Sequence, residues 1–393
     1  MDAYISRQPI FDVFGNVYAY KLNFLAEENL QLRPAYEETN ELFGVGIERL
    51  SGEKPAFIHF SDEMLEYHLP LSFSHEKSAV EVSEKQLENA ENLEFCRSLK
   101  ERGYTIALKN IERGEISLAD IVEIDFQKER DFVEKTARCC IEAGKNMLAE
   151  NVESRAEFDF AKELGCHYVC GGFYTKPEFD LETGIRPLSA SIVSALRIVS
   201  QQDAEIEELT EVLSRDSAVC QRLLRLINSV YFGFTTKISS INQAVVVLGM
   251  DYLREWIYLM AVQKMMQNDD VEAMKLSLLM AELCRKIAAF IPQAAKNPEA
   301  FYLMGLLSLI VFSGEKATEQ ALEEFPITAE IKKGLLRRGG LFGDVFEMAM
   351  SYNFAEWKKF EQIASKYNID FKEIAKGYVD CTDRVEKVDM NRG

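Results

Sequence analysis

Nine polar side chains stand at or near the ends of short strand-like runs: Lys21, His59, Glu81, Lys109, Asn110, Glu123, Asp125, Glu150 and Cys170. Where strands alternate with helices in a parallel arrangement, chemistry gathers at the C-terminal ends of the strands. Three or four carboxylates meeting there suit Mg²⁺, a hard ion that takes oxygen ligands. The same set, however, contains two lysines and a histidine. An ammonium beside a carboxylate cluster repels a metal cation and pairs with the acids itself. The residue types therefore carry a weak metal signal and favour a salt-bridged pocket. Lys21 shows the tension best. In "AYKLNFL" (19–25) it interrupts a run in which Ala19, Tyr20, Leu22, Phe24 and Leu25 read as buried. Either it points into a polar site or it lies on a solvated face, and the first reading requires it to sit near Glu81 or Asp125.

These residues need strands to position them. The candidates are "AFIHF" (56–60), "AVEVS" (79–83), "YTIALKN" (104–110), "IVEID" (121–125), "NMLAEN" (146–151) and "HYVCGGFYT" (167–175). Helical patterns separate several of them, over 83–103 with Gly103 as C-cap, over 129–145, and over 154–165 between an N-cap at Ser154 and a C-cap at Gly165. Repeated strand–helix units predict a parallel sheet, open or closed into a barrel. The rhythm changes near "ETGIRPLSAS" (182–191), with Gly184 and Pro187 at the boundary. Beyond it, the spacing of Leu, Ile, Val and Met fits helices packed on helices. The predicted organisation is an α/β domain over 1–186 followed by an all-α domain over 187–393.

A chain of 393 residues is too long for one ordinary core, which agrees with two domains. The formal charge of −19 argues against broad nucleic-acid binding, which needs a basic face. Lys332, Lys333, Arg337 and Arg338 form a local basic patch that reads as a solvated helix face. The start "MDAYISRQPIFDV" lacks a basic segment followed by a long apolar run, and "FYLMGLLSLIVF" (301–312) is too short to span a bilayer and reads as a buried helix. A cytoplasmic protein without membrane contact is the expectation. The eight cysteines form no framework, and neither Cys139–Cys140 nor Cys166 with Cys170 has zinc-site spacing, so they read as reduced, buried thiols.

The order of these segments resembles the EAL domain, the cyclic di-GMP phosphodiesterase family. "SRQPIFDVFGNVYAYKLNFL" (6–25) is similar to the family's opening, where a strand leads to a Glu-Ala/Leu-Leu signature. "VEVSE" (80–84), "GYTIALKN" (103–110), "ADIVEID" (119–125), "LAENVES" (148–154) and "GCHYVCGGFYTKP" (165–177) follow in the family's order. The resemblance implies a TIM-like barrel and a site where two divalent metals activate a water against a phosphodiester. Carried over by position, Lys21 stands for the signature glutamate, His59 for an asparagine ligand, and Lys109 and Asn110 for paired aspartates. Glu123 stands for a lysine and Cys170 for a glutamine. Glu81, Asp125 and Glu150 alone stand where the family has acids. At Lys21 and Lys109 the local charge changes by two units each, which disfavours a two-metal centre.

"LTEVLSRDSAVCQRLLRLINSVYFGFTTKISSINQAVVVLGMDYLREWI" (209–257) resembles an HDOD domain, a helical relative of HD phosphohydrolases. At the position of their metal-binding His-Asp pair, "GLLSLI" (305–310) places Ser308 and Leu309. The four histidines, His59, His68, His75 and His167, all lie in the first half, so the helical half has none with which to build such a site. "INSVYFG" (227–233) reads either as a ligand loop with Asn228, Ser229 and Tyr231 or, preferably, as a helix end capped by Gly233 with aromatics in the core. "NFAEWKKFEQIASKYNID" (353–370) reads as an amphipathic helix with Trp357 and Phe360 on one core-facing side.

The expected fold is therefore α/β plus all-α, a TIM-like barrel of EAL type followed by an HDOD helical bundle. The expected function is a catalytically inactive bacterial signalling or regulatory protein that works through protein–protein contacts with other signalling proteins. It requires no cofactor and no metal, and self-association through one domain is compatible with it. Two rivals stand beside this reading. One is a cyclic di-GMP receptor without hydrolysis, and the other is a residual metal-dependent phosphodiesterase working through Glu81, Asp125 and Glu150.

Overall fold

A computed structural model of the chain describes residues 3–26, 47, 49–111, 116–175, 188–201, 204–227, 238–266, 271–313 and 315–386. The chain divides into two compact units, Met1–Tyr174 with Phe371–Val379, and Thr175–Asp370 with Asp380–Gly393. The boundary expected at Gly184 and Pro187 lies outside the described residues, as do Asn228, Ser229, Tyr231 and Gly233.

The first unit is a closed eight-stranded barrel whose strands neighbour one another in sequence order. They are β1 (Ala3–Asp12), β2 (Val17–Ala26), β3 (Ala56–His59), β4 (Ser78–Ser83), β5 (Thr105–Lys109), β6 (Ile121–Asp125), β7 (Asn146–Glu150) and β8 (Tyr168–Cys170). The expected parallel pairing holds from β2 to β8. It fails at β1, which runs antiparallel to both β2 and β8. The cause is local. Asp12 Oδ1 accepts from the backbone N–H groups of Phe14 and Asn16 at 2.8 and 2.9 Å, closing a tight turn. So short a connection joins only antiparallel strands, because a parallel crossover needs a dozen residues or more.

The helices of this unit follow the capping signals. Ser154 Oγ accepts from Glu157 N–H at 3.2 Å at the start of Arg155–Glu163. Gly103 and Gly165, at φ +91° and +83°, end their helices as predicted. The helix expected over 83–103 begins later, at Ala90, because Asn89 caps it and a separate 3₁₀ turn occupies Lys85–Glu88. The last strand is also shorter than expected. At Gly171 the backbone takes φ +154° and passes so close to Val152 that a Cβ would lie 2.1 Å from its carbonyl oxygen. Pairing stops there, and Gly172–Thr175 forms a 3₁₀ turn.

The second unit is helical, with Gly340–Asn353 and Val271–Ala289 among its buried elements. The apolar run 301–312 is split between a helix, Pro298–Leu306, and a 3₁₀ segment, Ser308–Ser313. Gly305 explains its packing: a Cβ there would lie 2.3 Å from Met280 O and 2.5 Å from Ala281 Cα, so two backbones meet without side chains between them. Trp357 and Phe360 both pack edge-on against Tyr352, with ring centroids 5.2 and 5.1 Å away, as their shared face predicts. Their helix spans only Trp357–Ala364, because Ala355 takes φ +60° and separates it from the preceding helix. Lys332, Arg337 and Arg338 lie on the surface beside Glu323, Glu347 and Glu319 at 3.9, 3.1 and 2.5 Å. Among the described residues no helix is long and apolar enough to cross a membrane.

Candidate functional site

Side chains alternate between the two faces of a strand, so every second residue points into the barrel. Ala19, Phe57, Ala79, Ala107, Ile121 and Leu148 form an apolar layer there with Ile10 and Cys170. Two residues further along the same strands stand Lys21, His59, Glu81, Lys109, Glu123 and Glu150. The polar layer is thus set by strand parity and lies toward the C-terminal ends of β3–β7.

Lys21 Nζ sits at the point where three carboxylates converge. It is 3.0 Å from Glu81 Oε2, 3.0 Å from Glu123 Oε2, and in contact with Glu150 Oε1. Lys109 Nζ holds the other oxygen of Glu81 at 2.7 Å. The side chains of Glu81 and Glu123 have no solvent exposure. Burial alone would raise the Glu81 pKa, but Lys21 and Lys109 outweigh it and bring it to about 2. Burial keeps Lys21 short of water as well, yet its three acids hold its pKa well above the lysine norm. Glu123 goes the other way. Burial, then the neighbouring Glu81 charge, raise its pKa well above the carboxylate range despite Lys21. Two ammoniums thus face three carboxyls, and Glu123 is the one whose proton is hardest to remove.

This assignment predicts a pH effect. A carboxyl whose folded pKa is raised stabilises the fold below its unfolded pKa, about 4.3 for glutamate, and loses that contribution as pH rises toward the folded value. Stability of the barrel should therefore fall by up to about 1.4 kcal/mol per pH unit above that point on account of Glu123. Glu123→Gln keeps the shape and removes the titration. Denaturation of the variant between pH 5 and 8 should show a flatter stability profile than wild type; an unchanged slope would contradict the assignment.

The remaining predicted residues sort into two groups. His59 Nδ1 lies 3.2 Å from Glu81 O, and burial, then the Lys109 charge, lower its pKa, so the ring is neutral at pH 7. His59, Lys109 and the exposed Asn110 line a cavity of about 480 Å³ at the rim, together with Lys85, Gln86 and Asn89. Two residues stand apart from the cluster. Asp125, expected as an alternative partner of Lys21, instead accepts from Gln127 N–H and Asn151 Nδ2 at 3.0 and 2.9 Å. Cys170 belongs to the apolar layer, where burial pushes its thiol up to about 12. Glu123 was not singled out as a partner of Lys21 in the sequence, although strand parity puts it level with Glu81. Six of the eight cysteines are buried, Cys220 is half-buried and Cys139 is exposed, so the expectation of buried thiols fails at Cys139. Among the described residues, no three His, Cys, Asp or Glu side chains are grouped so as to hold a metal ion.

Comparison with known families matches the HDOD domain over residues 185–322 and the EAL domain over residues 124–177. The chain joins an EAL match to an HDOD match. The EAL match covers Asp125, Glu150 and Cys170, while Lys21, His59, Glu81, Lys109 and Glu123 precede it. Two relatives align along almost the whole fusion. The YuxH protein of Bacillus subtilis is 26% identical over 98% of both chains. The cyclic di-GMP phosphodiesterase CdgJ of Vibrio cholerae is 26% identical over 96% of this chain and 91% of its own. Among solved structures, the FimX EAL domain from Pseudomonas aeruginosa bound to c-di-GMP is 14% identical, covering 44% of this chain and 89% of that one, with a TM-score of 0.35. An EAL domain protein from Listeria monocytogenes is 16% identical, covering 44% and 87%, with a TM-score of 0.34.

In the region of the HDOD match, Ser308 and Leu309 are both buried, and the Ser308 hydroxyl has no hydrogen-bond partner among the described residues. A serine hydroxyl and an isobutyl group offer no metal-binding pair, and no histidine is present in the domain to supply another ligand.

Proposed function

We propose that the EAL–HDOD fusion is a non-hydrolysing regulatory protein of cyclic di-GMP signalling that acts by contact with other proteins. One observation carries this reading: the ammonium of Lys21 occupies the focus of Glu81, Glu123 and Glu150. Divalent metals at such a focus would have to displace a fixed cation, and Lys109 adds a second positive charge on Glu81. The donor set does not fit a two-metal centre, so no hydrolytic step is routed through one. What the barrel keeps is a closed scaffold, and the chain's formal net charge of −19 favours basic partners.

The test is incubation of the full chain with cyclic di-GMP and Mg²⁺ or Mn²⁺, with products separated by chromatography. No linear dinucleotide above the protein-free blank is expected. Turnover that disappears in Glu81→Ala would replace this reading with the phosphodiesterase one, which the likeness to CdgJ favours. The rim cavity favours a second reading, dinucleotide capture without cleavage, because Lys85, Lys109, Asn89 and Asn110 offer cationic and amide donors to phosphate. Calorimetric binding of cyclic di-GMP without turnover would support that receptor role.

A further inference from the structure

A second cavity, of about 610 Å³, lies wholly within the helical unit. Its size is that of a small-molecule site. Neither Ser308 nor Leu309 lines it. The walls come from the helices Ile241–Met266, Val271–Ala289 and Pro298–Leu306 and from the end of Phe371–Glu386. One side is apolar and aromatic, with Trp256, Leu259 and Leu278 beside the half-open Tyr252.

The other side is polar and already organised. Glu282 bridges two guanidiniums, Arg285 at 2.6 Å and Arg384 at 2.8 Å. Arg285 also faces Glu299 at 3.6 Å and lies over the Tyr302 ring, 4.9 Å from its centroid. The two arginines are balanced by Glu282 and Glu299. Glu255 is then a third carboxylate, held in a hydrogen bond with Tyr302, and both arginines among the lining residues already pair with other acids. The ionised pocket carries one negative charge in excess beside electron-rich aromatic faces. An anion is disfavoured there, and the bound guanidiniums repel a bare metal ion. A flat organic cation meets both needs, since it can offer N–H donors to the carboxylate and an apolar body to the aromatic wall.

We propose that this cavity binds a small organic monocation of the amidinium or guanidinium class, with Glu255 as its charge partner and Trp256 and Tyr252 as its wall. The inference is independent of the barrel and of the regulatory reading above. The groups facing Glu255 are Tyr302, Glu282, Arg285 and Glu299. Burial comes first among the causes that raise its pKa, to about 7. Its ionised fraction therefore changes roughly tenfold between pH 6 and pH 8, and affinity for a cation should follow it.

The probe is benzamidine, a cation at both pH values, titrated calorimetrically into the full chain. Saturable binding at pH 8, about tenfold weaker at pH 6, is expected, with a loss of at least about tenfold in Glu255→Gln at pH 8. The pH profile of the wild-type protein needs no variant to fold. Absence of binding at millimolar benzamidine, or binding that is equal at both pH values and unaffected in Glu255→Gln, overturns the proposal. A blocked tripeptide with a central arginine runs in parallel. Tighter binding of the peptide assigns the site to a partner's arginine side chain, and tighter binding of benzamidine assigns it to a free small molecule.

Discussion

Lys21→Met is expected to destabilise the barrel by about 3–5 kcal/mol at pH 8, the cost of removing one partner from a buried ion pair. The substitution keeps the length of the side chain and deletes the ammonium. Glu81 retains Lys109, but Glu123 and Glu150 lose the lysine that holds them. Glu123, left without a cation in a dry interior, holds its proton still more tightly. A raised carboxyl stabilises the fold at low pH and ceases to do so as pH climbs, so the deficit of the variant should shrink from pH 8 toward pH 5. Both tryptophans, Trp256 and Trp357, lie in the helical unit, so hydrogen exchange of barrel peptides is the suitable readout. A deficit below about 1 kcal/mol, independent of pH, is the behaviour of a solvated surface lysine and would contradict the buried cluster.

The second large effect lies in the helical unit. Gly305→Val should cost about 3 kcal/mol or more, the upper end of the usual range for overpacking. A Cβ at Gly305 meets backbone atoms of Met280 and Ala281, which have no rotamer to change, so the two helices must separate. Ser277 Oγ donates to Leu306 O across the same contact, and separation breaks that bond as well. Tryptophan fluorescence during urea denaturation reports on this unit. A variant as stable as wild type would show that the helices do not approach through Gly305.

Much of this was legible in the sequence. The strand-like run "IVEID" delimits β6 at 121–125, and Ser154 and Gly165 mark a helix by capping chemistry alone. Lys21 stood out because a charge inside an apolar strand needs a partner, and Glu81 was among the partners expected for it. What the sequence hid was long-range. Glu123 and Glu150 lie 102 and 129 residues from Lys21, and only closure of the barrel brings the three together. The antiparallel β1 was missed because hydrophobic alternation is the same for either strand direction. The Glu255 cavity was invisible because four separate helical segments contribute to it, each reading as ordinary amphipathic helix.

The central claim is that Lys21 supplies the cation of the barrel site. Binding of Mn²⁺, followed by the electron paramagnetic resonance signal of the free ion, tests it most directly. The full chain and its Glu81→Gln variant should leave the same amount of Mn²⁺ free at every concentration, since surface acids common to both account for any uptake. Tight uptake by the wild-type chain that disappears in Glu81→Gln would mean that the carboxylates hold metal and that Lys21 does not take its place.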